Sequence, residues 1–211
     1  MPRPSQPLIS RDAAVAAALR LIDEQGYESF SLEKLAREMG VRSPSLYHHF
    51  TNKSDLLTEA ARALLSGVPL PDGPAPGGWR DWFVLLCRDT YRLILRHPRA
   101  AGLLFGHFPN TVIMPSHERG ARVLAEAGVA AQDRWVVMRG LERLVFGMAF
   151  ADADDFVHGR THVPRGVERD RYPHLVEAIE SGGVAGEALL ERAVRLYLSG
   201  VTADLVQPAA T

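Results

Sequence analysis

A short stretch in the first quarter of the chain gathers polar side chains that are suited to contacting DNA. Hydroxyl, imidazole and guanidinium groups reach phosphate oxygens and base edges in a major groove. One short helix would present six such groups at its start and along its outer face: Arg42, Ser43, Ser45, Tyr47, His48 and His49. The spacing therefore indicates a small, local surface for binding DNA.

These groups need a rigid frame, and the residues around them have the pattern of a helix-turn-helix. Ala36 is small where two helices must approach closely, and Gly40 supplies a left-handed turn. Val41 and Leu46 would fill the angle between the two helices. An ordinary two-helix corner would show the same short pattern, and it is the alternative at this point.

Capping residues predict four helices before the middle of the chain. The expected helices run from Ser10 to Gly26, Ser31 to Gly40, Ser43 to Phe50, and Lys53 to about Ser66. Ser43 followed by Pro44 predicts a cap and the first position of the third helix. Thr51 or Asn52 is expected to cap the fourth.

A stretch rich in proline and glycine, residues 68–78, separates this region from the rest and is predicted to be a linker. Beyond it the spacing of apolar residues predicts helices at Trp79–His97, Arg99–Gly106, Pro115–Ala127, Asp133–Ala151, Tyr172–Ser181 and Glu187–Val206. The polar stretch Asp152–Pro173 is expected to be a loop. Because no convincing run has a period of two, the chain is predicted to be all-α.

Charge and composition restrict the possible partners. The chain has 211 residues, of which 46% are hydrophobic, and 24 Lys plus Arg stand against 25 Asp plus Glu. This balance argues against a protein that coats nucleic acid or a membrane through bulk charge. Residues 1–56 contain seven basic and seven acidic residues. DNA binding would therefore depend on well-placed contacts and on two copies that act together.

The cysteine count and the absence of known catalytic motifs restrict the cellular location and the enzyme activity that the sequence allows. Cys87 is the single cysteine, which excludes an intrachain disulfide and fits a reducing compartment. The first residues lack the apolar core of a secretory signal, and no stretch is apolar enough for a membrane span. A cytoplasmic protein is expected. No nucleophile elbow, zinc-protease motif or glycine-rich phosphate loop occurs, so no enzyme activity is predicted.

Several residue pairs in the first part of the chain combine into a specific pattern: Gly26-Tyr27, Phe30-Ser31, Leu35-Ala36, Gly40-Val41, Pro44, Leu46-Tyr47, His49-Phe50 and Asn52-Lys53. With this pattern the segment from about Arg11 to Leu57 resembles the DNA-binding domain of the tetracycline-repressor (TetR) family of bacterial transcription regulators. The resemblance implies a double-stranded DNA operator as partner. It also makes the alternative of an incidental corner less attractive.

The resemblance assigns roles to individual residues. Ser31 and Lys53 would hold phosphates, and Tyr47 would contact the DNA backbone. The residues that would face bases are Arg42, Ser43, Ser45 and His48, with Pro44 and His49 between the two roles. Glu33 would repel phosphate unless it accepts a hydrogen bond from a cytosine or points away. The operator sequence therefore does not follow from the family.

The second half of the chain carries apolar stripes that fit a homodimer. Leu141, Leu144, Val145 and Met148 lie at helical spacing beside Gly140 and Gly147, and the last helix is apolar nearly all round. Such a helix is covered either by its own core or by a second copy. The resemblance implies a four-helix dimer interface, whose twofold symmetry suits a palindromic operator.

The resemblance also implies a pocket for a small-molecule effector. Aromatic stripes are more often core than ligand contacts, yet the candidates for this pocket are Trp82, Phe83, Leu86, Thr90, Leu104, Phe105, His107, Phe108, Asn110, Arg139 and Phe146. Leu104 occupies the place of a metal-binding histidine of the tetracycline repressor, so no binding of magnesium–tetracycline is predicted. No cofactor and no metal site are expected. A metal held by residues 152–162 together with His174 is a minor hypothesis.

These expectations combine into one organisation. Residues 1–57 would form a helix-turn-helix DNA-binding domain, residues 58–78 a connecting helix and linker, and residues 79–211 a helical domain for ligand binding and dimerisation. The predicted function is a dimeric transcription regulator, a repressor released by a small apolar or amphipathic ligand. The alternative is a helical small-molecule binding protein or enzyme with an incidental helix-turn-helix-like corner.

Overall fold

The computed structural model describes residues 10–71, 73, 75–160 and 166–205. Within this part of the chain the secondary structure is helical, with no β-strand. The α-helices are α1 (Arg11–Gln25), α2 (Leu32–Glu38), α3 (Ser43–Leu46), α4 (Lys53–Leu65), α5 (Trp79–Arg96), α6 (Ala101–Gly106), α7 (Met114–Glu126), α8 (Ala131–His158), α9 (Pro173–Gly182) and α10 (Gly186–Leu205). The predicted all-α fold is confirmed.

The chain divides into two compact units. The first unit comprises Met1–Gly67 and His97–Met114, and the second comprises Val68–Arg96 and Pro115–Thr211. These limits differ from the predicted domain limits, because α4 packs with α1 and because the chain returns to the first unit after α5.

The first unit is built on the apolar face of α1. Ser10 caps this helix, since its hydroxyl accepts from the amide of Ala13 at 3.0 Å. Leu21 and Ile22 are buried on the face that packs against α4. The segment that follows α5 also contacts α1, since His97 Nδ1 lies 2.7 Å from Asp23 Oδ2.

The second unit centres on α5, α8 and α10, which pack against one another. α10 buries a single stripe: Leu190, Val194, Leu198 and Val201. On the other face of α10, Leu196 is 65% exposed, so its own unit covers only one side of this helix. Among the described residues, every helix is too short or too polar to span a bilayer.

Three predicted helix limits are wrong, each for a local reason. α3 ends at Leu46 instead of Phe50, because the amide of His49 bonds the Leu46 carbonyl at 3.0 Å and makes a turn. Ser43 is not the cap: Arg42 holds that position, without a side-chain hydrogen bond. The stretch after Ala151 continues α8 to His158, where Gly159 at φ 61° ends the helix.

α8 extends past its predicted end at Ala151 because its buried face continues there. Ala149 and Ala153 are fully buried and follow Val145 at intervals of four residues, so the buried stripe runs past the predicted end. Asp152 points toward the same interior and accepts a hydrogen bond from Tyr91. Burial and this bond raise the pKa of Tyr91.

Candidate DNA-binding interface

Local hydrogen bonds build the helix-turn-helix in the first unit. The hydroxyl of Ser31 accepts from the amide of Lys34 at 3.2 Å and caps α2. Gly40 has a φ of 67°, which a residue with a Cβ would adopt only with strain. The next amide, of Val41, donates back to the Ala36 carbonyl at 2.9 Å. This bond turns the chain into α3, which packs against α2 and buries its last residue, Leu46.

α3 and the turn after it present the predicted polar groups to solvent. Tyr47 is 55% exposed, and Arg42, Pro44 and His48 are also exposed. The residues that are half-buried are Ser31, Ser43, Ser45 and His49. The structure thus brings the predicted contact residues of positions 42–49 onto one short, accessible element.

Arg11, at the start of α1, fixes the end of this element. Its guanidinium donates to the main-chain carbonyl of His49 and, through the other terminal nitrogen, to Asp55 Oδ1 at 3.1 Å. The guanidinium carbon also lies 4.6 Å from the centroid of the Phe50 ring. One side chain therefore joins α1 to the turn after α3 and to the first turn of α4.

The start of α4 is held by two further caps. Asn52 accepts from the amide of Asp55 at 2.9 Å, and the Asp55 carboxylate accepts from the amide of Thr51 at 2.9 Å. The Thr51 amide and the adjacent Arg11 guanidinium lower the pKa of Asp55. Asn52, one of the two expected caps, is the one that the structure uses.

Lys53 has a structural contact in addition to its predicted role. Its ammonium donates to the Phe30 carbonyl at 2.8 Å and lies 5.5 Å from the centre of the Phe30 ring. The charge is thereby held beside the start of α2, near Ser31. Glu33 is in the same area: its own amide, the Ser31 hydroxyl and Lys53 lower the pKa of its carboxyl group.

A tight contact attaches the segment after α5 to the helix-turn-helix. Gly102 and Gly106, one turn apart on α6, face Tyr27, and a Cβ on either would lie 3.2 or 3.1 Å from that side chain. His107 meets Tyr27 edge-on and lies 3.3 Å from the Ser54 hydroxyl. Burial and the charge of Lys53 lower the pKa of His107.

The predicted ligand contacts fall into both units. The members in the first unit are Leu104, Phe105, His107, Phe108 and Asn110, and those in the second are Trp82, Phe83, Leu86, Thr90, Arg139 and Phe146. Leu104 is buried, whereas Phe105 is 73% exposed. The Thr90 hydroxyl donates to the Leu86 carbonyl at 2.8 Å, and Arg139 donates to both oxygens of Glu142.

The candidate metal loop has a different structure from the expected one. Asp152, Asp154 and Asp155 belong to α8, and Asp154 is paired with His158 and Arg160. His162 lies outside the described residues, and His174 is on α9 beside Glu177. Over the described ranges, no group of three His, Cys, Asp or Glu residues is placed to hold a metal ion.

Two family models match successive segments of the chain. Residues 14–65 match the model of the bacterial regulatory proteins of the tetR family, and residues 70–205 match the model of the tetracyclin repressor-like C-terminal domain. An HTH-type transcriptional regulator of Saccharopolyspora erythraea is 29% identical, over 94% of this chain and 87% of the relative.

Solved structures have the same fold. A chain described as a possible TetR family transcriptional regulator from Streptomyces coelicolor A3(2) aligns with a TM-score of 0.81 and 25% identity, over 92% of this chain and 99% of that one. The Streptomyces coelicolor TetR family protein ActR in complex with actinorhodin aligns with a TM-score of 0.76 and 23% identity, over 92% and 97% of the two chains.

The helix-turn-helix geometry and the matches along both halves of the chain lead to the same result. The family consists of DNA-binding transcription regulators and not of enzymes. The chain belongs to the tetR family of bacterial regulatory proteins.

Proposed function

We propose that the protein binds a palindromic operator as a homodimer and leaves it when a small molecule binds. The observation that carries the proposal is the exposed element of residues 42–48, which the Arg11 contacts hold in place. In this proposal Arg42, Ser43, Ser45 and His48 face bases. Ser31, Tyr47 and Lys53 contact the DNA backbone, and Pro44 and His49 lie between the two sets.

The exposed faces of α8 and α10 support the homodimer. Leu189 and Leu196 on α10 are 43% and 65% exposed, and Val136 on α8 is 63% exposed. A Cβ on Gly147 would meet nothing within 4 Å, so the backbone there is open to close approach by another helix. Large apolar side chains exposed on two helices mark a surface that a partner covers.

The apolar residues of α8 and α10 divide into an inward and an outward set. Leu141, Val145, Leu198 and Val201 are buried within their own unit, so they stabilise the chain itself. Leu189 and Leu196 of the apolar last helix face outward, and we assign them, together with Val136, to the contact with a second copy. The two copies would present two α3 elements to successive major grooves, as a twofold operator requires.

The effector part of the proposal draws on the relatives. ActR of the same fold holds actinorhodin, and we infer a small apolar or amphipathic ligand for this chain as well. Residues 79–211 would receive the ligand and dimerise, and residues 1–57 would read DNA across a connection at 58–78. Binding of the ligand would change the separation of the two α3 elements. We place the protein in the cytoplasm.

Fluorescence anisotropy with labelled DNA from both sides of the protein's own gene tests the operator. We expect tighter binding to one of these fragments than to shuffled duplex of equal length, at several salt concentrations. Equal affinity for flanking and shuffled DNA would remove the specific-operator proposal. The Tyr47→Ala variant is the control, because it should bind all of these fragments less tightly and keep its fold.

A further inference from the structure

A cleft in the second unit carries a set of side chains that the DNA interface does not use. It lies between the first turn of α5 and the second half of α7 and has a volume of about 340 Å³. Sites for small molecules have volumes from about 300 to 1,000 Å³. The cleft is therefore large enough for a compact ligand of one or two rings. The residues of its wall that matter here are Trp79, Trp82, Arg119, Arg122, Val123 and Glu126.

Close contact between α7 and α5 forms one end of the cleft. Gly120 is buried, and a Cβ there would lie 3.3 Å from the Phe83 ring. Near this contact, positions 119, 122, 123 and 126 of α7 line the cleft, together with Ala127 directly after the helix. They are spaced by three and four residues and so form one face of the helix. Arg119 and Arg122 consequently lie on the same wall.

The opposite wall is aromatic. Trp82 is buried, and its indole N–H already donates to the Pro71 carbonyl at 3.2 Å. Trp79, one turn earlier, is half-buried, and its ring meets the Phe83 ring edge-on at 6.5 Å. The half-buried Trp79 offers a rigid apolar surface that favours a flat ligand, and the buried Trp82 supports this wall from behind.

The charged residues of the cleft determine which ligand charge is favoured. The charged residues of the lining are Arg119, Arg122 and Glu126, and Arg119 is already engaged in an interaction of its own. The Arg122 side chain is exposed and forms no ion pair within the part of the chain that the structure describes. A guanidinium group pairs with a carboxylate through two parallel hydrogen bonds. Glu126 at the same rim disfavours a ligand with two negative charges.

We propose that this cleft binds a small aromatic acid, with its ring against the tryptophan wall and its single acid group paired with Arg122. The inference deepens the proposed function by naming the chemical class of the effector, and it rests on that function for its regulatory meaning. The binding itself stands on the cleft alone and is measured without DNA.

Isothermal titration calorimetry with 2-naphthoate and its neutral amide, 2-naphthamide, tests the charge requirement. We expect the acid to bind the wild-type protein about tenfold more tightly than the amide, because a charge-assisted pair contributes about 1.4 kcal/mol or more. Arg122→Gln should remove this difference and leave binding of the amide unchanged. Trp79→Ala should weaken both probes, since it removes part of the shared aromatic wall.

Arg96→Gln is the matched control. Arg96 is exposed at the other end of α5, so this variant should bind both probes like the wild type. The inference is overturned if neither probe binds, if acid and amide bind equally, or if the two arginine variants have the same effect. Arg122→Gln without a probe should bind operator DNA like the wild type. Equal affinity of the wild type for flanking and shuffled DNA would count against the proposed function, whereas the cleft is tested by the difference between acid and amide alone.

Discussion

The guanidinium of Arg11 donates to the main-chain carbonyl of His49, and this bond joins the first helix of the chain to the turn that ends α3. The same side chain reaches Asp55 at 3.1 Å and Glu59 at 3.7 Å, on the first turns of α4. Arg11 itself does not lie on the proposed DNA-contacting element. It is a positioning residue, because it sets where that element ends.

Replacement of Arg11 tests this positioning role. Arg11→Ala should destabilise the fold by about 1 kcal/mol, since a half-exposed charged hydrogen bond contributes that order. It should also weaken operator binding about tenfold. Arg11→Lys keeps the charge but loses the fork that reaches His49 and Asp55 together, so DNA affinity should be intermediate. Urea unfolding and DNA anisotropy measure the two effects.

Arg20→Ala is the control for this experiment. Arg20 is a more exposed arginine of α1, whose nearest acidic group is Glu38 at 3.7 Å. This variant should change stability by less than about 0.5 kcal/mol and leave DNA binding unchanged. Equal losses of DNA affinity in Arg11→Ala and Arg20→Ala would show that overall charge, and not position, is responsible.

Tyr47 and Lys53 should respond differently to replacement by alanine. Tyr47 is exposed, so its removal should lower DNA affinity about tenfold with no change in unfolding free energy. Lys53 bonds the Phe30 carbonyl, so Lys53→Ala should lose both DNA affinity and about 1 kcal/mol of stability. It should also reduce the salt dependence of binding by about one phosphate contact. An unchanged salt slope would remove Lys53 from the phosphate contacts.

The glycines of α6 give a steric prediction. Gly102→Ala places a Cβ 3.2 Å from the Tyr27 ring, so this crowding should make it about 1 kcal/mol less stable than an uncrowded Gly→Ala change in a helix. Gly182→Ala, at the end of α9, meets nothing within 4 Å and should be close to neutral. Thermal unfolding of both variants compares them directly. If Gly102→Ala is as stable as Gly182→Ala, α6 does not pack on Tyr27 as described.

Leu196 tests the proposed contact between two copies. Leu196→Glu should yield monomers that remain folded, because the side chain is exposed in the single chain. Leu198→Glu should instead unfold the chain, since Leu198 is fully buried. Sedimentation velocity and circular dichroism separate the two outcomes. A dimer of unchanged stability in Leu196→Glu would place the interface elsewhere.

The helix-turn-helix was predictable because its determinants are local. Ser31 caps the helix that follows it, and Gly40 makes the turn three residues before α3. Each position has one steric or hydrogen-bonding reason that can be read from its immediate neighbours. The family resemblance confirmed by the two matching models depends on the same residues.

The contacts that were not predicted join residues far apart in the chain. Arg11 and His49 are separated by 38 positions, and no spacing rule connects an arginine with a distant carbonyl. The continuation of α8 was missed because its aspartates resemble a loop, whereas Ala149 and Ala153 carry the buried face. The ligand candidates were chosen by residue type. Type alone did not predict that Phe105 faces solvent or that Arg139 is paired with Glu142.

Hydroxyl-radical footprinting of the wild-type protein on the flanking DNA tests the central claim most directly. We predict two protected half-sites of inverted sequence, with centres about 34–36 Å or one helical turn apart, or a multiple of that distance. At a concentration where the wild type half-saturates the site, Tyr47→Ala should weaken both protections together. A single protected site without inverted symmetry, or protection that Tyr47→Ala leaves intact, would contradict a homodimer that reads DNA through residues 31–53.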